Sequence, residues 1–208
     1  MNKPVITNLT VGNFAANCYI VSVGKTALII DPGAEAQRIS KYLSAQGFNY
    51  NLIINTHGHV DHITANKLLK RAGVSLCIHE QDAPMLVDPS KNLSSLFGSE
   101  KEWVDGPAAD CLLKDNEIIE WAGPPLRIIH TPGHTPGSIC ILMDNCLFSG
   151  DTLFAAGIGR TDLPGGNQKS IISSIKERLF SLPPTTVVYP GHGYQTTIDY
   201  ELENNPFL

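Results

Sequence analysis

Charge is scarce in this chain, and so are the features that would tie it to nucleic acid, a membrane or a disulfide framework. Only 17% of its 208 residues are charged against 42% hydrophobic. That balance excludes a disordered or fibrous polymer, because enough apolar surface is present to offset the entropy of ordering the chain. Fifteen Lys and Arg face twenty Asp and Glu, for a formal charge of −5. No basic run forms a phosphate-binding stripe, so nucleic acid is not an expected partner. No apolar run approaches the ~18–20 residues that cross a bilayer, and the opening MNKPVITNLTVGNF lacks the basic head and apolar stretch of a secretory leader. A cytoplasmic protein with no membrane partner is expected. Cysteine is sparse as well: Cys18, Cys77, Cys111, Cys140 and Cys146 are odd in number, show no CxxC spacing and sit mostly inside apolar runs, the pattern of buried free thiols.

A chain of this length can bury roughly 70–75% of the surface its unfolded form exposes. One domain over residues 1–208 is therefore expected, as a monomer or a small homo-oligomer. NCYIVSV, the Gly24-Lys25 turn and TALIID read as a β-hairpin. AEAQRISKYLSAQG then places Ala36, Ile39 and Leu43 at helical spacing and stops at Gly47. LIIN at 52–55 is a strand. A helix over 64–72, with Thr64 as N-cap, Leu68 and Leu69 inward and Gly73 as its stop, leads to a strand at 75–79. From Asp82 to Asp110 prolines and weak periodicity predict a short helix and a long connection. Strands follow near 117–121, 126–130, 138–143 and 146–149, the last two joined through Asp144-Asn145, then a helix at 168–180 and a strand at 186–189. No internal repeat is visible. Strands outnumber helices, yet helices recur in both halves. Two packed sheets with helices on their outer faces fit this order better than a doubly wound sheet.

Four apolar runs each end in a glycine-containing loop that carries His or Asp: LIINTHGHVDH, LRIIHTPGH, CLFSGD and VVYPGH. Strand ends are rigid supports, and glycine lets backbones approach closely, so such loops can converge side chains on one point. In the first loop His57 and His59 lie two apart and can share one ion, while Asp61 and His62 turn toward another. Adding His134, Asp151 and His192 gives five histidines and two aspartates, enough for two ions sharing one carboxylate. Imidazole with carboxylate suits two divalent first-row cations, zinc foremost, with iron or manganese also compatible; calcium would want mostly oxygen. Asp31, at a strand end before Gly33, is read as a carboxylate that orients a ligand histidine. His79 and His130 are read as packed structural histidines, and Ser149, which lacks the G-x-S-x-G pattern, as structural.

Thr56 to His62 match the THxHxDH motif, and His134, Asp151 and His192 follow in the same order, so the chain resembles the metallo-β-lactamase superfamily from about residue 10 onward. The resemblance implies an α+β fold, a four-layer αββα sandwich with the metals at one edge between the sheets. It also implies a partition: one ion on His57, His59 and His134, the other on Asp61, His62 and His192, with Asp151 bridging. THGHVDH, HTPGHTPGS, SGDTLF and GIGRTDLPGG are similar in particular to the glyoxalase II group, the hydroxyacylglutathione hydrolases. That group implies a small-molecule thioester substrate such as S-lactoylglutathione and a basic residue meeting its carboxylate, at the position of Arg160. The better-known members add a C-terminal helical region that helps hold glutathione, whereas this sequence ends sixteen residues after His192, which leaves the carrier thiol open.

The chemistry read from the residues agrees. A hydroxide held between two cations attacks a carbonyl at neutral pH, with Asp61 in the catalytic set, and a thiolate departs without a strong general acid. The resemblance also leaves two other reactions to weigh. Iron-dependent persulfide dioxygenases carry a GRTD segment like Gly159 to Asp162 but use only the three-histidine half of the site, and lactone opening would use the same nucleophile. A β-lactam hydrolase is less expected, because the best-known group of those enzymes has Cys at the place of Asp151. A nuclease would need an inserted domain, and a flavodiiron-type redox role would put Glu at the place of His59. A purely structural metal site would be closed and Cys-rich.

Overall fold

The computed structural model describes residues 3–97 and 99–208. Its first sheet runs in chain order through β1 (Val5–Val11), β2 (Ala16–Val23), β3 (Thr26–Ile30), β4 (Asn49–Ile54), β5 (Ser75–His79) and β6 (Cys111–Leu113). Neighbours pair antiparallel up to β3 and parallel from β3 to β6. The second sheet contains β7 (Ile118–Ile119), β8 (Leu126–His130), β9 (Ile139–Met143) and β10 (Cys146–Gly150). A small hairpin, β11 (Leu153–Phe154) with β12 (Gly157–Ile158), precedes its last strands, β13 (Val187–Pro190) and β14 (Thr196–Thr197). The spatial order of that sheet is β14-β13-β10-β9-β8-β7, with β10 and β13 parallel.

The layering follows from side-chain alternation. Successive residues of a strand point to opposite faces, and here both faces are apolar. Tyr19, Val21, Leu28, Ile30 and Ile54 pack with Ile128, Ile139, Ile141 and Phe148 in one cluster drawn from both sheets. The alternating Ile20, Ile29, Ile53 and Ile78 pack instead with Ile39 and Leu43 of α1 (Ala36–Gln46) and with Leu69. On the far side, Ile129, Cys140, Leu147 and Val188 pack against Ile171, Ile175 and Leu179. Helix, sheet, sheet, helix is thus the αββα sandwich that the sequence implied. The five cysteines are free thiols, and burial raises the pKa of Cys18 and Cys140, so neither is a ready nucleophile.

The hairpin turns at Gly24 and Asp144 lie where expected, with Val23 opposite Thr26 and Met143 opposite Cys146. The helix expected over 64–72 differs. Two short helices occupy the region, α2 (Val60–Ile63) and α3 (Asn66–Leu69), and Leu68 is exposed while Leu69 is buried. Thr64 does not cap: its backbone is already helical and its hydroxyl donates to the Val60 carbonyl at 2.6 Å. The helix over 168–180 consists of α4 (Gln168–Ser173), capped by the Asn167 side chain on Ser170 N–H, and a wider π turn at Ser174–Leu179. β1, β6, β11, β12, β14 and the terminal helix α5 (Ile198–Asn204) were not expected. Between Asp82 and Asp110 the described residues form three short 3-10 turns, at Ala83–Val87, Ser94–Leu96 and Glu100–Glu102. Among the described residues, no helix is long and apolar enough to cross a membrane.

Candidate metal centre

All four histidine- and aspartate-bearing loops leave neighbouring strand ends on one rim of the sandwich. β4 stops at Ile54 and delivers His57 and His59, with Asp61 and His62 on α2 just beyond. β8 leads to His134, β10 to Asp151 and β13 to His192. Gly191 permits a close approach: a Cβ there would fall onto Asp151 Oδ1 and come within 2.9 Å of His62 Cε1.

The seven side chains form two triads that share an edge. His57, His59 and His134 bring their ring nitrogens together, with His59 Nδ1 only 2.8 Å from His134 Nε2. Asp61, His62 and His192 form the second group: His192 Nε2 is 3.2 Å from both His62 Nε2 and Asp61 Oδ2. Asp151 spans them, with Oδ1 at 3.4 Å from His62 Nε2 and Oδ2 at 3.6 Å from both His134 Nε2 and His192 Nε2.

Tautomers are fixed from behind. The Thr56 hydroxyl gives its single proton to Asp31 Oδ2 at 2.6 Å, so it accepts from His57 Nδ1–H at 3.2 Å. The Arg160 carbonyl accepts from His134 Nδ1–H at 2.8 Å, and Asp31 Oδ2 accepts from His62 Nδ1–H at 3.1 Å. Each of these rings therefore turns its Nε2 inward, the usual arrangement behind a metal-ligating histidine. His57 Nε2, His59 Nε2 and Asp151 Oδ1 are buried without a hydrogen-bond partner. Buried orphaned acceptors in convergent array cost free energy unless a cation satisfies them, so the donor set fits divalent metal. Asp31 lies close enough to complete a third triad with His57 and His62. Its two oxygens already accept from Thr56 N–H at 2.7 Å and Thr56 Oγ1 at 2.6 Å, which makes it an anchor for both rings.

Electrostatics separate the triads. Burial first, then the neighbouring imidazoles, drives His57 well below the ordinary histidine pKa, and burial with His134 pushes His59 down to about 3. For His62 burial is also the largest influence and opposes charge, but Asp61, Asp151 and Asp31 outweigh it and hold the pKa up to about 10. Burial pushes Asp61 upward, yet His62 and His192 keep it below the usual carboxylate range.

Several supports carry no sequence signal. Asp82 is fully buried and accepts from Gly58 N–H at 3.0 Å, Thr135 Oγ1 at 2.7 Å and Gly137 N–H at 2.7 Å, tying the loop of His57 and His59 to the loop of His134. Asn17 Nδ2 donates to the carbonyls of Pro190 and Gly193, and Tyr19 donates to that of Pro190, clamping the His192 loop from the other sheet. A lone Asp before Ala-Pro, or an Asn and a Tyr inside a strand, names no role by itself. His79 and His130 stack on each other at 4.1 Å, and Ser149 donates to the Leu153 carbonyl, both packed roles. The Arg160 side chain is exposed and forked onto Asp162 with two 2.7 Å bonds. In front of the triads lies a cavity of about 390 Å³ into which His59, Asp61, His134, Asp151, Arg160 and His192 face.

Such a sandwich, with imidazoles and carboxylates gathered at one rim, defines the class of metal-dependent hydrolases. The chain belongs to the metallo-beta-lactamase superfamily, whose family model matches residues 11–192. It is 36% identical over 205 residues to the hydroxyacylglutathione hydrolase GloC of Haemophilus influenzae, covering 94% of this chain and 93% of that protein. Among solved structures, the crystal structure of the BLEG-1 B3 metallo-beta-lactamase superposes with a TM-score of 0.93 at 34% identity, covering 98% of this chain and 99% of that one. That of TTHA1623 in a di-iron-bound form gives 0.85 at 33% identity, covering 97% and 100%.

Proposed function

We propose that the chain hydrolyses a thioester with two divalent cations, one on His57, His59 and His134, the other on Asp61, His62 and His192, with Asp151 shared. Zinc suits this donor set best; iron and manganese share its ligand types. When bound, such cations supply an activated water and Lewis acidity toward a carbonyl oxygen. The protein's own part is positional. Asp31, Thr56 and the Arg160 carbonyl hold three rings in the productive tautomer, and the ionised Asp61 carboxylate at the cavity edge would accept a hydrogen bond from a water there. Arg160 would meet an anionic group on the substrate.

One observation carries the thioester assignment. Apart from the proposed ligands, Arg160 is the only ionisable side chain among the described residues lining the cavity, which offers no separate acid for a poor leaving group. A thiolate departs without one, whereas an amine needs a proton. The likeness to GloC supports S-lactoylglutathione as the first substrate to try. The test is elemental analysis of the purified protein followed by assays with S-lactoylglutathione, a lactone, a β-lactam and glutathione persulfide under oxygen monitoring. Two divalent ions per chain and preferential thioester turnover are expected. One iron per chain with oxygen consumed on persulfide would overturn the proposal.

A further inference from the structure

The cavity wall beyond the metal triads is almost wholly apolar. Phe14 from the β1–β2 turn and Leu93 and Phe97 from the long connection line it, as do Phe154, Ile158 and Leu163 from the segment after β10. Phe14 and Phe97 meet edge to face with ring centroids 5.3 Å apart, yet each stays about half exposed, at 50% and 49%. Aromatic surface left uncovered at the mouth of a cavity is surface a ligand can remove from water. No Ser, Thr, Asn, Gln, Tyr or Trp side chain is among the described residues lining it. A peptide-like thiol would find no side-chain amide or hydroxyl partner there, and burying its own amides unpaired would cost binding free energy. The single cation among the described residues of the wall, Arg160, already has Nε and Nη2 committed to Asp162.

Building on the thioester reading, we propose that this wall receives a straight apolar acyl chain, and that Phe14 and Phe97 are the residues that select for its length. The carbonyl end sits at the triads, the chain runs along the aromatic pair, and the thiol portion leaves the cavity past the exposed Arg160. Lactoyl, short and hydroxylated, would then be a poor fit compared with a medium-length alkanoyl group.

Binding of the product carboxylates tests this apart from catalysis. Zinc-loaded protein is titrated calorimetrically with acetate, butyrate, hexanoate and octanoate. Affinity is expected to rise by about threefold for each methylene that the wall covers. Phe97→Ala and Phe14→Ala, both at half-exposed positions, should each weaken octanoate by about fivefold or more and leave acetate unchanged, while Phe97→Leu keeps most of the gain. A flat series in the unsubstituted protein would overturn the proposal, as would tightening with n-alkyl thiols but not with carboxylates. A parallel turnover series, acetyl to octanoyl on one fixed thiol, separates the two readings. If no thioester is hydrolysed but carboxylate affinity still climbs with length, the hydrolase assignment fails and the apolar acyl site stands.

Discussion

The two triads at the rim are built from overlapping loops and share Asp151, but they are electrically unlike. In the first, His57 and His59 are forced neutral by burial among other imidazoles. In the second, His62 is equally buried, yet Asp61, Asp151 and Asp31 around it hold a proton in place. His57 and His59 thus present neutral rings, whereas the second triad pairs His62 with Asp31 at 3.1 Å and His192 with Asp61 at 3.2 Å. Cations entering both triads would therefore load by two routes: onto neutral rings in one, by exchange for a proton in the other.

Removing a ligand makes the most severe break. His59→Ala should lower turnover by on the order of 10³-fold or more and cut bound metal to one ion per chain by elemental analysis, the second triad keeping its own. Full activity at normal metal content would remove His59 from the site. Asp82→Asn tests whether the first triad depends on its hidden support. The amide turns a donor toward Gly58 N–H or Thr135, leaves a buried polar group unpaired at a cost of about 1–3 kcal/mol, and should weaken zinc at the all-histidine triad by about 10-fold to 100-fold. Competition against a chromophoric chelator would show this, with the mixed triad unaffected.

Proton competition sharpens the comparison further. The folded pKa of His62, about 10, lies above the ordinary 6.5, so the metal-free ring keeps its proton across the neutral range and a cation must displace it. Zinc affinity at the mixed triad should therefore fall by about tenfold for each unit that pH drops from 9 to 6. His57 and His59, whose pKa values are depressed, contribute no such loss. Calorimetry in buffers of different ionisation heat would read the released proton. The sign also bears on folding without metal: the stabilisation from protonated His62 is complete below pH 6.5 and is lost as pH rises through about 10. The smallest effect is expected from Arg160→Ala, a severalfold rise in KM for an anionic thioester and little for a neutral one. Its guanidinium is exposed and already paired with Asp162. Equal effects on both substrates would take the side chain out of the site.

Much of the site was legible because its residues sit where strands stop. His57, His59, Asp61 and His62 fall within six residues, and His134, Asp151 and His192 each follow an apolar run and a glycine, so sequence alone points to the side chains that the fold gathers at the rim. Asp31 was legible for the same reason. Asp82, Asn17 and Tyr19 were not, since their roles depend on partners 24 to 176 residues away. The fold was readable in its middle strands, whose two apolar faces announce burial on both sides. It was less so at the edges: β1 and β14 are partly exposed and β6 is three residues long. Thr64 misled because a hydroxyl before an apolar run signals a cap only if the backbone there is extended, and the HGHVDH turn had already started the helix at Val60.

By itself the sequence determined the donor types, the glycines that let the loops close in, and the alternation that builds four layers. Those are local properties, set by side-chain chemistry and spacing along the chain. Only the tertiary structure decided which nitrogen of each imidazole faces inward, which triad holds protons, and that the long connection brings Leu93 and Phe97 to the wall of the cavity. Tautomer, charge state and cavity shape are fixed by atoms that meet only when distant segments pack, and such encounters depend on the whole fold.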